Sequence, residues 1–153
     1  MADLDDVRSF LAEETGLAVV STTQADGRVL SSVVNCGIID HPLSGEPCVA
    51  LVSRGNAARL THVRRGSSMT VAIRRGWSWV AATGPADLIG PDRGPDGLPD
   101  GMDADAYRVL LREIYQAAGG EHDDYDEYDR AMVEDARVAV LVNPTDIRGV
   151  IPS

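Results

Sequence analysis

Lysine is absent from this chain of 153 residues, so all fourteen of its positive charges are arginine, a pattern that reads first as coding bias. Cysteine is scarce: Cys36 and Cys48 lie in predicted strands without CxxC spacing. They are expected to be reduced core thiols, and with three scattered histidines they form no zinc-ligand set. No apolar run approaches the roughly twenty residues that a membrane span needs. The opening MADLDDVRSF is acidic where a signal sequence would be basic. A cytoplasmic protein without membrane contact is therefore expected. Neither GxSxG nor a cysteine with a neighbouring histidine signature is present, which argues against nucleophilic hydrolysis. There is no GxGxxG loop and no strand–helix alternation, which argues against a doubly wound nucleotide fold. If the protein is an enzyme, a bound cofactor must carry the difficult step.

A further absence is local. Between Glu46 and Asp87 there is no carboxylate, yet that window holds Arg54, Arg59, Arg64, Arg65, Arg74 and Arg75 in a chain of net charge -10. A basic site inside an anionic protein is the expected footprint of a small anionic ligand, because nucleic acid would feel the repulsion of the whole body. Within the window, PCVALVS reads as a buried strand ending at Ser53. Asn56 is placed to cap a short helix over about residues 57–65, with Leu60 and Val63 turned inward. A strand that ends in Ser53-Arg54-Gly55 and passes into a helix start, with Arg59 in the first turn, is a place to hold a phosphate. Arg64, Arg65, Arg74 and Arg75 read as general electrostatics.

The length fits one domain, residues 1–153, able to bury about two-thirds of its unfolded surface. Asp3 is expected to cap an amphipathic helix, LDDVRSFLAEE, and an Ala-Asp-Gly-Arg turn joins two strands rich in Val, Ile and Thr. Strands follow at 47–53, about 68–74 and 78–89. Residues 90–101, rich in glycine and proline, can only be a loop. Asp103 is expected to cap a helix whose stripe is Tyr107, Leu110, Leu111, Ile114 and Tyr115. A second, acidic helix and a last strand complete the chain. His122 among Asp123, Asp124, Asp126, Glu127 and Asp129 reads as a helix start with capping acids rather than a metal site. His41 reads as a loop histidine and His62 as an exposed helix histidine. The count predicts a mainly β (α+β) domain: a small barrel of about six antiparallel strands with peripheral helices.

Four segments together carry a resemblance: TGLAVVSTTQADGRVLSSVV, SRGNAARLTHVRRGSSMTVAI, the hairpin GWSWVAATGPADLI, and EHDDYDEYDRAMVEDARVAVLV. In this order the chain resembles, over about residues 5–150, the pyridoxamine 5'-phosphate oxidase-like split β-barrels. It is most similar to the actinobacterial branch that binds the deazaflavin coenzyme F420. The resemblance implies a homodimer with cofactor clefts at the subunit interface, and the cofactor phosphate held by the turn and helix after the third strand. That helix usually reads Arg-x-Lys-x-x-Asn-Leu. Here Arg59 takes the lysine position, while Ala57 and Thr61 or His62 take the others, and Arg54 is positioned to restore the missing charge. The resemblance also implies contacts to the ring or its linker from Ser32 and Asn35, and closure of the partner's cleft by Trp77 and Trp79.

The implied activity is F420-dependent transfer of a hydride to a small unsaturated organic substrate, and the wide arginine surface favours F420 over FMN. A non-catalytic F420 carrier is an alternative. An FMN-dependent pyridoxamine phosphate oxidase comes third, because the sequence closes on DIRGVIPS without an arginine- and proline-rich tail. An exposed aromatic hairpin independently leads to the expectation of a dimer.

Overall fold

In the computed structural model, which describes residues 1–152, Asp3 starts the first helix through a reciprocal capping box. Its carboxylate accepts the Asp6 N–H at 3.0 Å while the Asp6 carboxylate accepts the Asp3 N–H at 2.9 Å. The elements are α1 (Leu4–Glu13), β1 (Leu17–Thr23), β2 (Val29–Asn35), β3 (Gly37–Asp40), β4 (Pro47–Ser53), α2 (Ala58–Arg64) and β5 (Met69–Arg75). They continue with β6 (Ser78–Gly84), β7 (Ala86–Ile89), α3 (Ala104–Ala117), α4 (Tyr125–Glu134), β8 (Val138–Val142) and β9 (Asp146–Val150). A five-stranded antiparallel sheet has the order β2-β1-β5-β6-β9, and a four-stranded one the order β3-β4-β8-β7.

The described residues form nine strands where about six were expected, and the difference has one cause. Three of the predicted strands each bend and change sheets: β2 runs into β3 at Cys36, β6 into β7 at Pro85, and β8 into β9 at Asn143 and Pro144. Proline cannot donate to a ladder, so the ladder breaks at Pro85 and Pro144. The last two corners lie against each other, with the Asn143 N–H donating to the Pro85 carbonyl at 2.9 Å. Gly84 makes this approach possible, since a Cβ there would stand 1.8 Å from the Asn143 carbonyl oxygen.

The core divides in two. Between the sheets, Val20, Val49, Leu51, Met69, Val71, Val80 and Val140 form the barrel interior, with Val7, Phe10 and Leu11 of α1 and Leu60 and Val63 of α2 packed into the same cluster. Outside the four-stranded sheet, Tyr107, Leu110, Leu111 and Ile114 of α3 cover Ile39, Cys48, Ala50, Ile89, Ala139 and Leu141. Asp103 caps α3 as expected, accepting from the Ala106 N–H at 2.8 Å. The outer face of the five-stranded sheet has no such cover, leaving Leu17, Val19, Val29, Val33, Trp79 and Val150 exposed, with Trp77 98% exposed at the β5–β6 turn.

Three local expectations are corrected. Asn56 does not cap α2: Ala57 occupies that position without a side-chain cap, because the Ala57 N–H is used in a turn to the Arg54 carbonyl. His62 is buried, its Nδ1 2.8 Å from the buried hydroxyl of Thr22. His41 is also buried. Its Nδ1 accepts the Leu43 N–H, so its Nε2 donates to Asp87 at 2.9 Å, tying the β3–β4 loop to β7. Both cysteines are free and buried, and burial raises each thiol to about 12.

Candidate anion-binding site

Ser53 ends β4 with its side chain turned in, 1% exposed, and Ser32 lies on the inward side of β2 opposite Val20. These two hydroxyls belong to different sheets, and Arg59 joins them from the first turn of α2. One guanidinium nitrogen donates to Ser53 Oγ at 2.9 Å and another to Ser32 Oγ at 2.9 Å. Three of the residues singled out in the sequence are thus brought into one cluster.

The electrostatics of Arg59 set it apart. It is half-buried, and no ion pair among the described residues includes it. Burial holds its guanidinium below the ordinary arginine value; Cys36 acts against this, and the charge of Arg137 acts with it. A guanidinium carries five donors, of which the hydroxyls take two. Among the described residues its Nε makes no hydrogen bond, and it is not sealed from solvent, because no buried side-chain polar atom there lacks a partner. A partly desolvated cation with a free donor edge fits an anionic oxygen group such as a phosphate. With only seven residues in α2, the side chain rather than a helix dipole makes this site.

The other expected residues are placed differently. Arg54 is exposed beside Ser53, whose hydroxyl donates to its carbonyl at 3.2 Å. Asn35 points to the opposite side of β2 from Ser32 and donates to the Thr15 carbonyl at 3.0 Å. Trp79 belongs to the uncovered outer sheet face and Trp77 to the β5–β6 turn, so neither joins the Arg59 cluster on the inward side. The wide acid-free surface is also narrower in space than in sequence. Arg64 is held by Asp96 at 2.9 and 2.7 Å, and Arg75 pairs with Glu13 and stacks on Phe10. Arg54, Arg65 and Arg74 remain exposed and without a carboxylate partner among the described residues.

Sequence reading missed Arg137. It precedes Val138, which pairs with Ser53, so the β4–β8 register sets it close enough to act on the protonation of Arg59. Only that long-range register could have revealed it. Chemically, the cluster can bind and orient an anion, and no acid or base that titrates near neutral pH belongs to it.

No protein-family model matches the chain. Solved structures match it throughout. A conserved hypothetical protein, Rv2991 from Mycobacterium tuberculosis, superposes with TM-score 0.67 at 14% identity over 100% of this chain and 91% of its own. A candidate pyridoxamine 5'-phosphate oxidase from Listeria innocua gives 0.57 at 15% over 95% and 96%. The chain has the split-barrel fold of these oxidase-like proteins. An F420 reductase shares it too, with TM-score 0.56 at 10% identity over 86% of this chain and 88% of that one. A heme binding protein from Mycobacterium smegmatis shares it as well, with TM-score 0.61 at 12% identity over 98% of this chain and 55% of that one. At such identities the likeness speaks to architecture alone.

Proposed function

We propose that the chain is an oxidoreductase that uses the deazaflavin coenzyme F420 and reduces a small unsaturated organic substrate. The observation that carries this reading is the half-buried Arg59 guanidinium, held by Ser32 and Ser53 and lacking a carboxylate partner among the described residues. When bound, the coenzyme supplies the hydride. The work left to the protein is binding, orientation and exclusion of water. Arg59 holds the phosphate through its free donor edge, and the two hydroxyls fix the plane of the guanidinium so that the fork is set in advance. Arg54, Arg65 and Arg74 attract the carboxylates of the coenzyme tail. FMN, with a single phosphate, would leave these outer arginines unused.

The uncovered face of the five-stranded sheet packs against a second copy in this reading, and Trp77 and Trp79 close the partner's cleft. A monomeric mass by light scattering would remove the partner's contribution. Because no acid–base group titrating near neutral pH belongs to the seat, a non-catalytic carrier would present the same residues, and kinetics must separate the two. In parallel titrations F420 should bind at least about tenfold more tightly than FMN, a difference of roughly 1.4 kcal/mol. Equal affinities, or isolation of the protein with tightly bound yellow flavin, would overturn the choice of coenzyme. Oxidation of reduced F420 by a panel of quinones, enones and tetrapyrroles in the presence of protein identifies an enzyme. Tight binding with no turnover across the panel identifies a carrier.

A further inference from the structure

On the far side of the four-stranded sheet a cavity of about 380 Å³ opens between α3, α4 and the loop after β7. Its floor is apolar, formed by Leu98, Tyr107, Leu111 and Met132, with Val133 at the lip. The volume lies at the lower end of the range for small-molecule sites, about 300–1,000 Å³. We propose that this cavity is a second binding site, independent of Arg59, and that it takes a neutral apolar molecule of one or two rings.

The chemistry of the occupant follows from how the polar groups at the rim are already committed. Arg108 pairs with Asp105 at 3.3 Å and with Asp129 at 3.6 Å, while Arg112 donates to both carboxylate oxygens of Asp129. Arg137 pairs with Asp135 at 3.2 Å, the phenol of Tyr107 donates to the Arg137 carbonyl, and Asp92 is exposed. No buried side-chain polar atom among the described residues lacks a partner. An anionic ligand would therefore find no free counter-charge here among the described residues, in contrast to Arg59; the one unpaired charge of the lining, Asp92, lies in solvent at the rim, and water would find few partners on the floor. An open apolar floor of this kind gains by exchanging its water for an apolar guest. The wall is also fixed in advance. Ala136 lies at φ 47, a left-handed conformation that a residue with a Cβ holds only where its surroundings enforce it. The Arg137 N–H closes that turn onto the Met132 carbonyl at 3.0 Å.

The test uses the whole protein and the neutral fluorophore N-phenyl-1-naphthylamine, with the anionic anilinonaphthalene sulfonate for comparison. One neutral probe should bind per chain, saturably and at least about tenfold more tightly than the sulfonate, because an unpaired charge in an apolar site is penalised. Ala104→Trp, which fills the cavity from an exposed helix start, and Val133→Asp, at an 80% exposed lip, should each weaken the neutral probe by about tenfold or more. Val33→Asp, on the uncovered sheet face, should leave it unchanged. The proposal is overturned if the probe does not saturate, if the sulfonate binds more tightly, if both cavity variants bind like the parent, or if Val33→Asp abolishes binding. Should the cavity variants fail to fold, methyl resonances of the unaltered protein decide. The probe should move the Met132 signal and not that of Met69 in the barrel interior, and the reverse result refutes the site.

Discussion

Arg59 and Arg64 stand five residues apart on one short helix, α2, and differ in what holds them. Arg64 meets a carboxylate from outside its own segment, Asp96, which raises its pKa through a two-pronged hydrogen bond. Arg59 meets two neutral hydroxyls, and burial lowers its pKa. The first charge is already neutralised by the fold, whereas the second is partly desolvated and uncompensated. A count of arginines in the sequence treats them alike, yet only the uncompensated one has a reason to take an external anion.

The sharpest way to break this comparison is Arg59→Ala. A charge-assisted contact to phosphate contributes about 1.5–3 kcal/mol, so F420 binding should weaken by roughly ten- to a hundredfold. Arg59→Lys should lose less, since the charge persists without the fork. Titrations are to be made at matched melting temperature and mass. Unchanged binding by folded Arg59→Ala would mean that the phosphate is held elsewhere.

A second contrast concerns a committed pair far from the seat. The hydrogen bond from Arg112 keeps the Asp129 carboxyl below the usual aspartate range, with lesser help from its charge and from Arg108. A depressed folded pKa stabilises the protein above the unfolded value, near pH 4, and that contribution disappears as pH falls through the folded value. Asp129→Asn should therefore lower Tm at pH 7 by at most about 2–4 °C. The gap from the parent should close below about pH 4. A gap that widened in acid would reverse the sign of the argument. Coenzyme affinity should not change.

The smallest effect is expected at Arg64. Arg64→Ala removes a charge already neutralised by Asp96, so F420 affinity should fall by less than about 1 kcal/mol, equivalent to under roughly fivefold. A loss as large as that of Arg59→Ala would show that the two arginines are not distinguished by their partners.

Much of this architecture was legible because it is local. The caps at Asp3 and Asp103 and the Ala-Asp-Gly-Arg hairpin depend on a few neighbouring residues. Arg59 was legible for the same reason, as a cation in a helix that follows a buried strand. What escaped depended on partners distant in sequence. Asp96 and Glu13 enter the acid-free window from loop and helix, and His62 finds Thr22 forty positions away. The three strand corners were hidden because an apolar run that changes sheets reads like one that does not. Alternation alone could have separated Asn35 from Ser32, three positions apart on β2 and therefore on opposite sides.

The placement of β8 and β9 has a consequence for synthesis. β8 lies between β4 and β7, and β9 completes the other sheet beside β6, so residues 138–150 close both. A chain emerging from the ribosome can form the β1–β2 hairpin early, but until these last strands leave the exit tunnel β4 and β7 have no common neighbour. During that interval their open edges and the apolar underside of α3 are offered to whatever is nearby. The nascent protein is thus most exposed to mispairing while residues 138–150 are still inside the tunnel.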